Sequence, residues 1–247
     1  MNDSSDDRSL RTGSGARPLS YGPIALAGFL MVLGYGLLFI LGPAAADAYV
    51  EEDRIVESLG AAGLLATSII FLLILLRGRR ADQFGPIKQL ALILLVILFF
   101  VGAGEEISWG QRILGLSTPE GLKDSNTQQE LNFHNLDTLS GWLRVERLFQ
   151  VFWFSFGVLI PIAAAASQRV RATLDPLLPI LPVWSAVFLV ANQLLGYLAD
   201  LVDNAHPALY EGLYYPFEGA RVEVYESGIS VVLAVGAFAL LKRTAPR

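Results

Sequence analysis

Six uninterrupted apolar runs, each near the length of a bilayer crossing, constrain this chain more than any other feature. A transmembrane helix needs about 20 mostly apolar residues to cross roughly 30 Å of hydrocarbon. The runs expected to cross are Tyr21 to Leu41, Val56 to Leu76, Ile87 to Glu106, Arg147 to Ala166, Leu177 to Ala199 and Val222 to Leu241. Composition agrees, with 53% hydrophobic and only 17% charged residues, against roughly 25% charged in ordinary soluble domains. The predicted fold class is therefore all-α, a polytopic transmembrane helix bundle of six spans with both termini on one side. Residues 1–20 are polar and read as a disordered cytoplasmic tail. A signal peptide would begin with a short basic start and an apolar core at once; here the first apolar run comes late and is long, which reads as a retained helix. Cysteine is absent, which excludes disulfides and thiolate chemistry.

Orientation follows from the basic residues, since cytoplasmic connections are enriched in Lys and Arg. The tail, the turn at Arg77, Arg79, Arg80 and Lys88, the turn at Arg169 and Arg171, and the end at Lys242, Arg243 and Arg247 fall on one side. The two sides then carry formal charges of +7 and −12, within the chain's net −5. This predicts an N-in/C-in protein of a prokaryotic plasma (inner) membrane. Its long acidic loops, 105–146 and 200–221, would face outward.

Two runs reach bilayer length only by including glutamates. Leu90 to Gly104 gives fifteen residues, or about 22 Å of helix; outward extension adds Glu105, Glu106, Ser108 and Trp109, with Trp109 as an interface anchor. Gly228 to Leu241 is fourteen residues, and extension brings in Glu226 and then Glu223. Glu57 lies at the outer edge of the second run, and the fifth carries Asn192, Gln193, Asp200 and Asp203. Ionisable groups at membrane depth are costly and usually face a bundle interior or a wet cavity. Helical spacing puts Glu105, Ser108 and Arg112 on one face, Glu223 and Glu226 on another, and Gln193, Asp200 and Asp203 on a third. The expectation is one polar cavity opening outward; the competing reading is interfacial snorkelling of helix-end residues.

The first outer loop carries Gln111, a Thr118-Pro119 helix start, and the run Asn126 to Asn135. Within that run, Glu130 and His134 stand at i and i+4, flanked by Gln129, Asn132 and Asn135. The second histidine, His206, is on the other outer loop. Imidazole and carboxylate together suit Zn or Mn, with Glu105, Glu106 and His134 as metal ligands, though no HExxH spacing is present. The expected catalytic set is Glu105, Glu106, His134 and Arg112. The expected substrate contacts are Ser108, Trp109, Gln111, Asn132, Asn135, Gln193 and Glu226. No P-loop, nucleophile elbow or dinucleotide fingerprint occurs, and no basic aromatic stripe points to nucleic acid.

An adjacent glutamate pair at a helix end followed by an arginine resembles the CPBP group of glutamic-type intramembrane proteases. The likeness covers Glu105, Glu106 and Arg112. The family places its arginine four residues after the second glutamate, whereas Arg112 is six after Glu106; Phe133 directly precedes His134, and neither histidine has Asn four residues on. The leading expectation is instead a hydrolase or transferase acting on a lipid or lipid-linked substrate at the outer leaflet. An ion- or proton-coupled transporter and a non-enzymatic subunit of a membrane complex are the alternatives.

Overall fold

The computed structural model describes residues 21–40, 55–123, 131, 145–205 and 217–244. Among them every regular element is helical: α1 Tyr21–Ile40, α2 Ile55–Arg80, α3 Pro86–Glu106, short α4 Gln111–Leu114 and α5 Glu120–Lys123, then α6 Val145–Phe154, α7 Ile160–Ala166, α8 Gln168–Leu174, α9 Val183–Ala205 and α10 Phe217–Arg243. Six helical segments are long and apolar enough to cross a membrane: α1, α2, α3, the continuous rod Arg147–Ala166, and the spans Val183–Val202 and Ala220–Arg243. The protein is thus an integral membrane protein by helix length and composition. The rod is continuous because a π-helical turn, Ser155–Leu159, joins α6 to α7.

The described helices wrap around a central pair, α2 and α10, which are the most buried of the spans. Small residues set their approach. A methyl group on Gly63 would lie 2.9 Å from the Ser230 backbone, and one on Gly60 would lie 3.7 Å from the Ser227 Cα. Small side chains let helix backbones meet where apolar lipid gives no hydrophobic drive to associate. The pairing of 60 with 227 and 63 with 230 means that α2 and α10 run parallel. α3 runs antiparallel to α2, with Gly102 beside Leu64 and Ser68 Oγ donating to the Val96 carbonyl at 2.8 Å. α9 runs antiparallel to α10, with Gly236 beside Ser185 and Gly196 beside Tyr225.

The middle of the bundle is apolar and aromatic. Phe71 stacks on Phe99 and meets Phe156 edge-on, and Phe152 stacks on Phe156 at 5.4 Å. The outside is apolar too, with Phe29 and Val32, Leu94 and Ile97, and Val187 and Leu194 exposed. A surface of this kind requires hydrocarbon as solvent. At the basic ends, α3 starts at Pro86, where a missing N–H costs nothing. Lys88 pairs with Asp175 at 3.3 Å.

The fifth helix runs on to Ala205 and the sixth begins at Phe217, both beyond the expected bounds, and one start is displaced by proline. The fifth span begins at Val183, not Leu177. Pro179 and Pro182 remove backbone donors and push the preceding residues out of helical geometry. The 180–182 segment is instead buried without regular structure, and Ser185 closes the first turn, its backbone N–H and hydroxyl both donating to the Pro182 carbonyl.

Candidate functional site

The site begins where α3 ends. Glu105 and Glu106 are its last two residues, and the chain then breaks sharply. Ser108, Trp109 and Gly110 all have left-handed backbones, with φ of 44°, 55° and 72°. Two consecutive non-glycine residues in that region cost about 1–3 kcal/mol each. The break folds Trp109 back on α3. Its indole N–H donates to Glu105 Oε1 at 2.7 Å, and its ring lies over Gly104, where a methyl group would clash at 2.9 Å. Trp109 also meets Phe100 edge-on and is 41% exposed, which suits an interface anchor.

The break also overturns the predicted face of Glu105, Ser108 and Arg112. That spacing needs a helix running past Glu106, and none does. Ser108 is buried in the kink, and Arg112 belongs to the separate helix α4. Gln111 pins the start of the outer loop. Its amide donates to Thr118 Oγ1 and accepts from the Leu131 N–H, both at 2.6 Å. His134, Asn132 and Asn135 lie outside the described residues, as does the Arg112 side chain.

Glu106 turns the other way, into the bundle. One carboxylate oxygen each from Glu106, Glu223 and Glu226 lie within 4.8 Å of one another, and all three residues are half-buried. Three elements create this meeting. α3 brings Glu106 to its end, and one turn of α10 carries Glu223 and Glu226 at i and i+3. Gly60 of α2 leaves room, since a methyl group there would lie 3.8 Å from Glu106 Oε2. Glu57 lies one turn before Gly60 on α2. Glu105 is not part of the trio.

A polar strap holds α10 against α9 and α1 at this depth. Tyr35 donates to the Asn192 carbonyl at 3.2 Å, the Asn192 amide donates to the Tyr225 carbonyl at 2.8 Å, and the Tyr225 hydroxyl donates to Gln193 Oε1 at 2.6 Å. Gly228 is required here, because a methyl group would lie 2.3 Å from Asn192 Oδ1.

Beside the trio, a cleft of about 660 Å³ opens between α6, α9 and α10. Gln150, Trp153, Gln193, Asp200, Arg221 and Glu226 supply its polar groups, and Val151, Phe154, Val190 and Leu194 its apolar wall. Glu226 thus belongs both to the trio and to the cleft. Arg221 pairs with Asp200 at 3.2 Å. The sequence reading named Glu226 and Gln193 but not Trp153 or Arg221. Trp153 looked like one more apolar span residue, and Arg221 like a loop charge. The signal for Glu223 was its i, i+3 step to Glu226.

The donor set can be tested for a cation. Three convergent carboxylates repel one another when ionised, and a cation or shared protons relieve that repulsion. All-oxygen donors suit Mn²⁺ or Mg²⁺ better than Zn²⁺, which favours nitrogen and sulfur. The residues fit a hard divalent cation; a zinc site would need an imidazole as well, and His134 is not described. No family model, curated protein or solved structure matches this chain.

Proposed function

We propose that the protein is a membrane-embedded hydrolase or transferase that acts on a lipid or lipid-linked substrate, using a divalent cation held by Glu106, Glu223 and Glu226. The observation that carries this reading is the convergence of those carboxylates beside a cleft walled by lipid-facing apolar side chains. Convergent acids beside a cleft are a candidate functional site on physical grounds. A cation bound there would polarise a substrate oxygen and acidify a bound water. The chain's own contributions are separate from that. Glu106 and Glu223 hold charge, and Glu226 reaches from the trio to the cleft as a candidate proton acceptor. In the N-in/C-in arrangement favoured by the basic residues, this chemistry sits in the outer leaflet of a plasma membrane.

The test combines metal analysis of the purified protein with turnover of lipid esters and lipid phosphates. Bound Mn²⁺ or Mg²⁺ that disappears in Glu106→Gln and Glu226→Gln, together with loss of turnover, is the expected result. Full turnover in both variants would sink the enzyme reading. Proton or cation flux in liposomes that depends on the same glutamates, without turnover, would favour the transporter instead.

A further inference from the structure

One amide in the cleft lies deep in its span and in the open. Gln193 is exposed and lines the cleft from α9. It stands seven residues before Asp200, or about 10 Å further into the bundle along the helix axis. Its Oε1 accepts from the Tyr225 hydroxyl at 2.6 Å, which fixes the amide against α10 and leaves its N–H groups without an acceptor among the described residues. An amide facing hydrocarbon has nothing to accept its hydrogen bonds, and that is costly. The cleft opens sideways at this level. A methyl group on Gly157 would lie 2.5 Å from Leu189, so the rod and α9 meet there; above that contact the rod meets α10 instead, Trp153 standing edge-on to Tyr225. The mouth is apolar, with Val151 62% and Leu194 58% exposed, so an occupant enters from among the acyl chains. Charge narrows what it can be. Asp200 already pairs with Arg221 at 3.2 Å, and Glu226 adds a second carboxylate to the lining. An anionic group at Gln193 would sit beside the trio, whose three carboxylates outnumber the charges of a divalent cation, and like charges disfavour it. A neutral acceptor escapes that repulsion. The ester carbonyl of a lipid is one, and it lies at the junction of head group and acyl chain, as Gln193 lies where polar lining meets apolar mouth.

We infer that the cleft binds an acyl-ester lipid, with the Gln193 amide donating to the ester carbonyl and the acyl chain leaving between Val151 and Leu194. The carbonyl then lies at the level of Glu226, because Gln193 is bonded to Tyr225, the residue next to it. This deepens the proposed function by naming a carboxylic ester as the group presented to the trio. It rests on that reading only for the ester's fate, because holding the carbonyl requires Gln193 and not the cation.

The experiment is native mass spectrometry of the purified full chain in detergent, titrated with dioleoylglycerol, a diester, or with dioleylglycerol, its diether analogue. The two lipids differ only in their carbonyls, so the ratio of their affinities reads the hydrogen bond within each protein variant. The native protein should prefer the diester about three- to tenfold, the size of one neutral hydrogen bond. Gln193→Met, close to glutamine in volume but without a donor, should bind the two alike. Equal binding by the native protein overturns the inference, as does a preference that survives in Gln193→Met. If Gln193→Met does not purify, Tyr225→Phe decides: it removes the hydroxyl and keeps the amide, so the preference should survive, and its loss would assign the contact to the hydroxyl and overturn the inference. Glu106→Gln separates this inference from the proposed function. Turnover lost with the ester preference kept supports both. An ester preference that depends on Gln193, in a native protein with no turnover, supports the inference and removes the enzyme reading. Turnover that needs Glu106, without any ester preference in binding, overturns the inference alone.

Discussion

The two ends of this bundle differ in how they handle charge: both hold an ion pair, Lys88–Asp175 and Arg221–Asp200, and only one also gathers like charges. At the end where α3 starts, Lys88 reaches Asp175 and opposite charges tie two segments together. At the end where α3 stops, Glu106 is brought against Glu223 and Glu226, three groups of like sign. The first arrangement is what folding alone selects. The second opposes folding, since each carboxylate raises the cost of ionising its neighbours. The close α2–α10 seam holds this cluster together, and the proposed cation would offset its mutual repulsion.

The largest effect expected from this contrast is on turnover. Replacing Glu106 or Glu226 by Gln should reduce activity on the order of 10²–10⁴-fold, the range for loss of acid–base or metal-holding groups, in a lipid-turnover assay. Adding a chelator should reproduce the loss in the native protein. A next effect would make the two ends alike. Glu223→Lys places an opposite charge in the trio, so cation affinity should fall by more than about 100-fold while the metal-free protein melts higher; calorimetry with Mn²⁺ and a thermal scan read the two halves. A lower melting point would show that the trio is not a repulsive cluster. Smaller again is Gly63→Leu, which forces α2 off Ser230 and should cost about 1–3 kcal/mol in a detergent unfolding assay, with cation binding weakened because Glu106 no longer meets α10. The smallest is Lys88→Ala. Asp175 is 63% exposed, so the pair is worth about 0–1 kcal/mol, and turnover should not change.

How much of this was legible beforehand differs between fold and site. The spans were visible because hydrocarbon thickness imposes a length, and the prolines before Val183 delayed the start of the fifth while its helix and the sixth ran further into the flanking polar residues. That the helices take in Glu105, Glu106, Glu223 and Glu226 was also visible, because two spans were too short without them. Which glutamates meet was not. Helical spacing linked Glu105 to Ser108 and Arg112, and the left-handed run Ser108–Gly110 cut that link. The partners of Glu106 come from a helix more than a hundred residues later, and no periodicity within one segment reports a contact between segments. Gly60, Gly63, Ser227 and Ser230 were in plain view, yet small residues announce a close approach without naming what approaches. Trp153 and Arg221 were hidden for a different reason. They meet at one cleft only because α6 packs beside α10, which no single segment reports.

The π-helical turn Ser155–Leu159 has a consequence of its own. A wide turn holds one residue more than the helix around it, so it acts as a phase shift in the rod. Within the turn Gly157 sits close to Leu189, and below it Ala164 packs in the bundle. Above it, the same rod must present Trp153 and Gln150 to the cleft. Without the extra residue the upper half would be turned by roughly 100° relative to the lower, and the indole would point elsewhere. The rod therefore works as two half-helices indexed separately, the upper one packing Phe152 and Trp153 in the core while turning Gln150 to the cleft.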